Sequence, residues 1–328
     1  MRTVDGARLE GGGQLVRTAV ALAALGAEPV TIEHVRAGRE APGLHPQHVA
    51  AVRAVAGCCG AEVEGLERGS DRLVFSPGPL RRADQRVEIG TAGGIALVLQ
   101  AWLPVALEAG GAVTVVGGTE VPLGPTIDFA DRVLLPFLRA HGGEIRLDLR
   151  QRGYVPRGGG EVRVEVEPGR LRPIDAGRAE IGSGAVSAAA NLPRHVVERQ
   201  LAAARGALEP AIGPLGTAEM DLRSGPSTGS SVTCWDGLRA GSALGRRGHP
   251  AEAVGREAAD ALLAELRLPG EVDRHLADQL LVYLARHGGA FTATACTRHA
   301  VTLLWLLEEF GYAIEHGPSP SGGEQFAA

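Results

Sequence analysis

The chain contains no lysine: every one of its 33 Lys-or-Arg positions is arginine. A P-loop needs its lysine to reach nucleotide phosphates, and lysyl-nucleotidyl transfer needs one as nucleophile, so both classes are excluded. An Ala-, Gly- and Arg-heavy chain also fits a GC-rich coding sequence, which explains the bias without a functional cause. Aromatics are scarce at 4%, so the core has to be built from Ala, Val and Leu. Four cysteines (Cys58, Cys59, Cys234, Cys296) show no CxxC spacing, which argues against a zinc site or a disulfide framework. No uncharged apolar run reaches membrane-spanning length and residues 1–5 do not resemble a signal peptide, so the expectation is a cytoplasmic protein with no membrane partner. An excess of positive charge is also lacking. The net charge is −5, too acidic to hold a long nucleic acid by a global field, so any polyanion must be gripped locally, end-on.

What is present is an ordinary globular composition, 45% hydrophobic and 22% charged over 328 residues, enough for two domains or one large domain with an insertion. Apolar periodicity predicts helix 13–25, strand 29–35, helix 46–57 and strands 61–65 and 72–76. The order then restarts: strand 86–90, helix 95–108, strand 112–117, helix 127–140 and strands 144–150 and 160–167. A third copy follows late, as helix 272–286, strand 290–295, helix 299–310 and strand 312–316. The expected fold class is therefore α/β (α+β): a large domain of three repeated βαβαβ-type units, residues 1–173 plus 269–317, carrying a smaller inserted α/β domain. The insertion, 174–268, reads as strand 179–187, helix 194–207, strands 217–222 and 230–235 and helix 251–266. Residues 318–328 lack an apolar period and are expected to be a mobile tail.

Polar clusters fall where helices begin or strands end, the ligand-binding edge of open α/β sheets. In Glu10-Gly11-Gly12-Gly13-Gln14, followed by Arg17, a glycine-rich turn offers N–H groups to an anion, Glu10 suits a divalent cation and Arg17 suits phosphate. A tight turn made for packing reads equally well. Arg36-Ala37-Gly38-Arg39, then Gln47 and His48 in the first turn of the next helix, form a second node for phosphate, or else solvated loop charge. Gln100 sits in an otherwise apolar helix and must satisfy its amide on the neighbouring backbone or on a ligand. Further nodes are Gly117–Asp128, the basic hairpin Arg152–Gly160 and His275-Leu276-Ala277-Asp278-Gln279. Last comes Thr294–His299, whose histidine opens a helix at a strand–helix junction.

Together these segments resemble the RNA 3′-terminal phosphate cyclase family. The likeness runs in order through LEGGGQLVR (9–17), RAGREAPGLHPQH (36–48), GTAGGIALVLQ (90–100), GGTEVPLGPTIDF (117–129), RGYVPRGGGEV (152–162), LPRHVVER (192–199), HLADQ (275–279) and the segment ending at His299. The resemblance implies three nucleotidyl-transfer steps: His299 is adenylylated by ATP, AMP passes to an RNA 3′-phosphate, and the 2′-hydroxyl closes a 2′,3′-cyclic phosphate and expels AMP. It implies His299 as the catalytic nucleophile. It further implies Gln100, Pro125, His275, Leu276, Ala277, Asp278 and Gln279 around ATP, Glu10 on Mg2+ or Mn2+, and Arg17, Arg36, Arg39, Gln47 and His48 on the RNA terminal phosphate. The implied partner is RNA with a 3′-phosphate end; a homo-oligomer is one option that the sequence leaves open.

Two departures stand out. The resemblance implies a histidine followed by two residues and then Thr-Asn, as in many relatives; here Thr302 stands but Leu303 replaces the asparagine. His275 takes a place often held by tyrosine. Competing readings are a catalytically silent cyclase-like factor of RNA processing or ribosome assembly, which the presence of His299 opposes, and an enolpyruvyl-transferase-like enzyme, which the absence of lysine opposes. A plain RNA-binding module has no need of a histidine, a carboxylate and an ATP segment together.

Overall fold

The computed structural model describes residues 1–328 as a mixed α/β fold. It begins with β1 (Arg2–Asp5), α1 (Gly13–Gly26), β2 (Val30–Glu33), α2 (Pro46–Gly57), β3 (Glu62–Glu64) and β4 (Leu73–Ser76), whose strands form one sheet in the order β1-β2-β4-β3. Next come β5 (Ala83–Glu88), α3 (Ile95–Ala109), β6 (Gly111–Gly117), α4 (Ile127–Phe129) and α5 (Leu135–Ala140), then β7 (Glu144–Gln151) and β8 (Gly160–Glu167). The α4–α5 pair is one helical segment interrupted by a π turn at Ala130–Leu134. The second sheet repeats the first order as β5-β6-β8-β7.

β9 (Ile174–Asp175) starts the third sheet, and the chain then leaves it for the insertion: β10 (Ser183–Ala190), α6 (Arg194–Ile212), β11 (Thr217–Arg223), β12 (Gly229–Asp236), β13 (Arg239–Leu244) and α7 (Ala251–Leu266). It returns with α8 (Arg274–His287), β14 (Gly289–Ala293), α9 (Arg298–Glu309), β15 (Glu315–Pro318) and β16 (Glu324–Ala327). The third sheet runs β15-β16-β14-β9 and the insertion's sheet β11-β10-β12-β13. Each of the three similar sheets pairs its first two strands in parallel and adds the remaining two antiparallel, so the unit is βαβαββ, as the sequence reading had it for the second unit and one strand more than the βαβαβ expected of all three.

The inserted sheet is covered on both faces, as the period of two requires. Ala185, Val232 and Cys234 pack against α6 and α7 in a separate small core, while Val186, Ala188 and Trp235 join the main core. β13 escaped the sequence reading because Arg-Ala-Gly-Ser-Ala-Leu carries no β-branched or aromatic residue. It forms because α7 lies directly on it: a Cβ at Gly241 would sit 2.3 Å from Leu262 N. Residues 318–328 are not a mobile tail. β16 pairs antiparallel with both β14 and β15, and Phe326 is fully buried 5.4 Å from the Phe291 ring. One large apolar side chain in Glu-Gln-Phe-Ala anchors the strand, too weak a period to read from sequence. No helix is long and apolar enough to cross a membrane.

Candidate functional site

His299 lies in the first turn of α9, after the strand–loop that follows β14. Thr297 caps this helix: its hydroxyl accepts from Ala300 N at 2.9 Å and donates to Asp278 Oδ1 at 2.7 Å. That bond ties α9, which carries His299, to α8. A second tie comes from Thr302, whose hydroxyl accepts from Glu10 N at 3.2 Å and donates to Arg298 O at 2.8 Å. The glycine turn before α1 is thereby brought against α9, and the Glu10 carboxylate meets His299 Nδ1. Arg39 closes the group, donating to the Glu10 carboxylate and, at 2.9 Å, to the Glu10 carbonyl.

The glycines of the turn are there for close approach. A Cβ at Gly13 would fall 1.9 Å from His48 Nε2, so only glycine lets that imidazole sit against the start of α1. His48 is 2% exposed, accepts from His45 N at 3.0 Å, and is pushed down to about 2, first by burial and then by Arg17, Arg36 and His45. It is a neutral imidazole. Gln47 accepts from Gly94 N at 3.2 Å, which joins the first unit to the turn before α3.

Beside this group a cleft is lined by Gln14, Arg17, Thr18, Gln100, Leu134, Asp278, Gln279, Val282, Tyr283 and Leu303. Arg17 is the anomaly in it. Its guanidinium is 7% exposed, its only side-chain hydrogen bond is a long one of 3.4 Å to Gln100 Oε1, and its Nε has no partner. Burial lowers its pKa to about 10. A buried cation without a carboxylate is costly and suits a site that receives an anion. Burial pushes Asp278 up to about 6 against the pull of Thr297 and His299. Burial likewise pushes His299 down, with Arg17 and Arg39 acting in the same direction and Asp278 against them.

The structure thus gathers Glu10, Arg17, Arg39, His48, Gln100, Asp278, Gln279 and His299 around one site, with Gln47 and Arg36 on its border. Arg36 spends one nitrogen on its own loop, donating to Ala41 O at 2.6 Å and Gly43 O at 3.0 Å. The segment 275–279 divides by helical face. Asp278 and Gln279 look into the cleft, whereas Leu276 and Ala277 are fully buried in the main core and His275 is exposed on the first turn. The side chains of Leu276 and Ala277 therefore cannot touch a ligand there. Pro125 sits in the loop between β6 and α4 and is not part of the cleft lining. Leu303, where an asparagine was expected, fills the cleft floor from the core. The sequence reading missed Thr297 as a contributor, although a threonine three residues before Ala300 at a strand–helix junction carries an N-cap signature.

No three His, Cys, Asp or Glu side chains converge as a ready cation site. Glu10 nevertheless fits a cation bound together with phosphates. It is a single carboxylate, 15% exposed, beside an anion-seeking arginine, and Mg2+ is commonly held by one or two carboxylates with phosphate oxygens and water.

The family model described as RNA 3′-terminal phosphate cyclase matches residues 8–314. Proteins named RNA 3′-terminal phosphate cyclase from Methanosarcina mazei (41% identical, over 94% of this chain and 95% of that protein), Thermococcus onnurineus (43%, over 94% and 93%) and Nitrosospira multiformis (42%, over 94% and 91%) are similar along nearly their whole length. The matched region spans all three similar units, the insertion and both the Glu10 turn and the His299 helix, and on that evidence the chain belongs to the RNA 3′-terminal phosphate cyclase family.

Proposed function

We propose that the chain converts an RNA 3′-phosphate end into a 2′,3′-cyclic phosphate at the cost of ATP, through an adenylylated His299. The observation that carries this reading is the His299–Glu10 pair. With Nδ1–H donated to Glu10, the lone pair of Nε2 is directed outward, and burial, which lowers the ring's pKa, favours the neutral form against the carboxylates of Glu10 and Asp278. Relatives of 41–43% identity that bear the cyclase name support the same reading.

Nε2 attacks the α-phosphorus of ATP; an N–P bond forms, the P–O bond to the β-phosphate breaks and pyrophosphate leaves. An oxygen of the RNA 3′-phosphate then takes the adenylyl group as the N–P bond breaks, which restores the neutral imidazole and creates a phosphoanhydride. Finally the neighbouring 2′-oxygen, losing its proton, attacks the 3′-phosphorus and AMP departs with the bridging oxygen. Such chemistry asks mainly for alignment and neutralised charge. Arg17 with its unpartnered Nε, together with Arg36, Gln47 and His48, supplies this for the terminal phosphate, and Gln100, Asp278 and Gln279 line the nucleotide's side. Mg2+ or Mn2+ held through Glu10 would neutralise charge on the phosphates.

Incubation with α-labelled ATP and either metal is expected to label the protein through an acid-labile, alkali-stable bond, and His299→Ala abolishes the label. Labelling that survives in that variant, or a 3′-phosphorylated RNA that stays phosphatase-sensitive after incubation with the wild type, refutes the proposal.

A further inference from the structure

Beside the terminal-phosphate site lies a second basic group that the three nucleotidyl transfers leave unused. Loop 65–71 is locked against the start of α2: Gly69 N donates to Leu44 O at 2.8 Å and Leu44 N to Ser70 O at 2.9 Å. The contact is so close that a Cβ at Gly43 would lie 2.4 Å from Gly69 O. This brings Arg68 within electrostatic reach of His45, whose pKa is lowered first by burial, then by Arg36 and least by Arg68. His45 in turn stacks on His48, with ring centroids 5.6 Å apart and planes 25° from parallel. Arginines therefore continue outward from buried Arg17 through Arg36 to exposed Arg68, with the neutral imidazoles of His48 and His45 between them.

None of this charge is neutralised within the protein. Arg36 and Arg68 have no carboxylate within ion-pair distance, whereas Arg39 is paired with Glu10. Arg36 is fixed by its two carbonyl contacts, and Arg68 stands on a loop held by main-chain bonds at both Gly69 and Ser70. Unpaired arginines on a held backbone with a half-exposed ring between them are the arrangement that tracks a single strand: charge for successive phosphates, a flat ring for what lies between. The line begins at the terminal-phosphate site, so its outer end faces the next phosphate of the chain.

We infer that Arg68 binds the phosphodiester preceding the terminal nucleotide, with the His45 ring packed against the nucleotide between, so that the site grips two successive phosphates of an RNA strand. This rests on the cyclase reading of the same site. It makes Arg68 a residue that distinguishes an RNA end from a free nucleotide 3′-phosphate. It also reconciles a local polyanion grip with a net charge of −5.

Binding of a 3′-phosphorylated hexaribonucleotide and of cytidine 3′-phosphate is to be measured on the full-length protein for the wild type, Arg68→Glu and Arg68→Lys, with self-adenylylation followed in parallel. Arg68→Glu should weaken the hexamer by about tenfold and leave the mononucleotide within about twofold. It should also lower the slope of log affinity against log salt by about 0.7, the value for one phosphate contact on a single strand. Arg68→Lys should recover most of the hexamer affinity, which a loop-packing role would not do, and neither variant should alter self-adenylylation. Equal losses for both ligands, no loss for the hexamer, or a wild type that binds the hexamer no tighter than the mononucleotide each overturn the inference. A wild type that fails to adenylylate refutes the cyclase reading instead, and the binding comparison still decides Arg68.

Discussion

The reactivity of His299 depends on charges that oppose one another across the imidazole. Burial, Arg17 and Arg39 press its pKa down while Asp278 pulls it up. Asp278→Asn keeps an acceptor for the Thr297 hydroxyl but removes one of the two carboxylates that oppose that depression, leaving Glu10 in place. The proton then leaves His299 more easily, so the acidic limb of the rate of self-adenylylation should move to lower pH. Single-turnover labelling at saturating ATP between about pH 5 and 8 measures it, and a limb that stays or moves upward contradicts the assignment. Much of the site was legible at this scale. Glu10, Arg17 and His299 stand in short motifs whose residue types name their own chemistry. The division of 275–279 was not legible: five consecutive residues fit one motif, but only the packing of α8 shows that Leu276 and Ala277 face the core and Asp278 the cleft. The neutralisation of Arg39 by Glu10 was equally hidden, because the two are 29 residues apart.

Helix α9 presents His299 through its first turn, so the cap of that helix is also a part of the candidate site. Thr297 accepts from Ala300 N and donates to Asp278 with one hydroxyl. Thr297→Ala removes both bonds and should cost about 1 kcal/mol in urea unfolding, within the ordinary range for a lost cap. Its effect on self-adenylylation should be larger than that stability loss explains, since α9 is no longer tied to α8; Thr297→Ser should restore both. An alanine variant that loses stability but labels at the wild-type rate would reduce Thr297 to a plain cap. Element types were readable from sequence wherever the apolar period was strong, as in α1, α3 and α9. Strands with small residues or only a single anchor were not. β13 depends on α7 for its existence, β16 depends on the Phe326 pocket, and two-residue β9 depends on pairing with β14 across the whole length of the insertion.

At the scale of the molecule, the insertion is fastened to the second unit through a buried arginine. Arg152, 1% exposed, donates to Glu120 at 2.6 Å, to both oxygens of Asp128 at 2.8 and 2.9 Å, and to Asp221 of β11 at 2.8 Å. Tyr154 N donates to Ser227 at 2.7 Å, and Thr126 and Thr233 share a hydrogen bond of 2.8 Å across the same junction. Sequence reading took Arg152 for a hairpin residue able to meet a ligand phosphate; its three carboxylate partners, 24 to 69 residues away, engage it instead. Burial, with Asp128 and Asp221 alongside, raises Glu120 to about 7 despite Arg152. The folded protein therefore retains a proton on Glu120 that the unfolded chain, at an ordinary carboxyl pKa near 4.5, has already released. Since the folded state binds more protons in that window, this group lowers stability as pH rises from about 4.5 through 7 and changes little beyond. Glu120→Gln keeps an acceptor for Arg152 and a neutral side chain in the same space, so it should remove that decline. Other carboxylates, such as Asp221 with its depressed pKa, act in the opposite direction and are common to both proteins. The readout is accordingly the difference in urea midpoint between variant and wild type, which should shift in favour of the variant from pH 5 to pH 8; a difference that does not vary with pH would mean that Glu120 is ionised alike in the folded and unfolded chains.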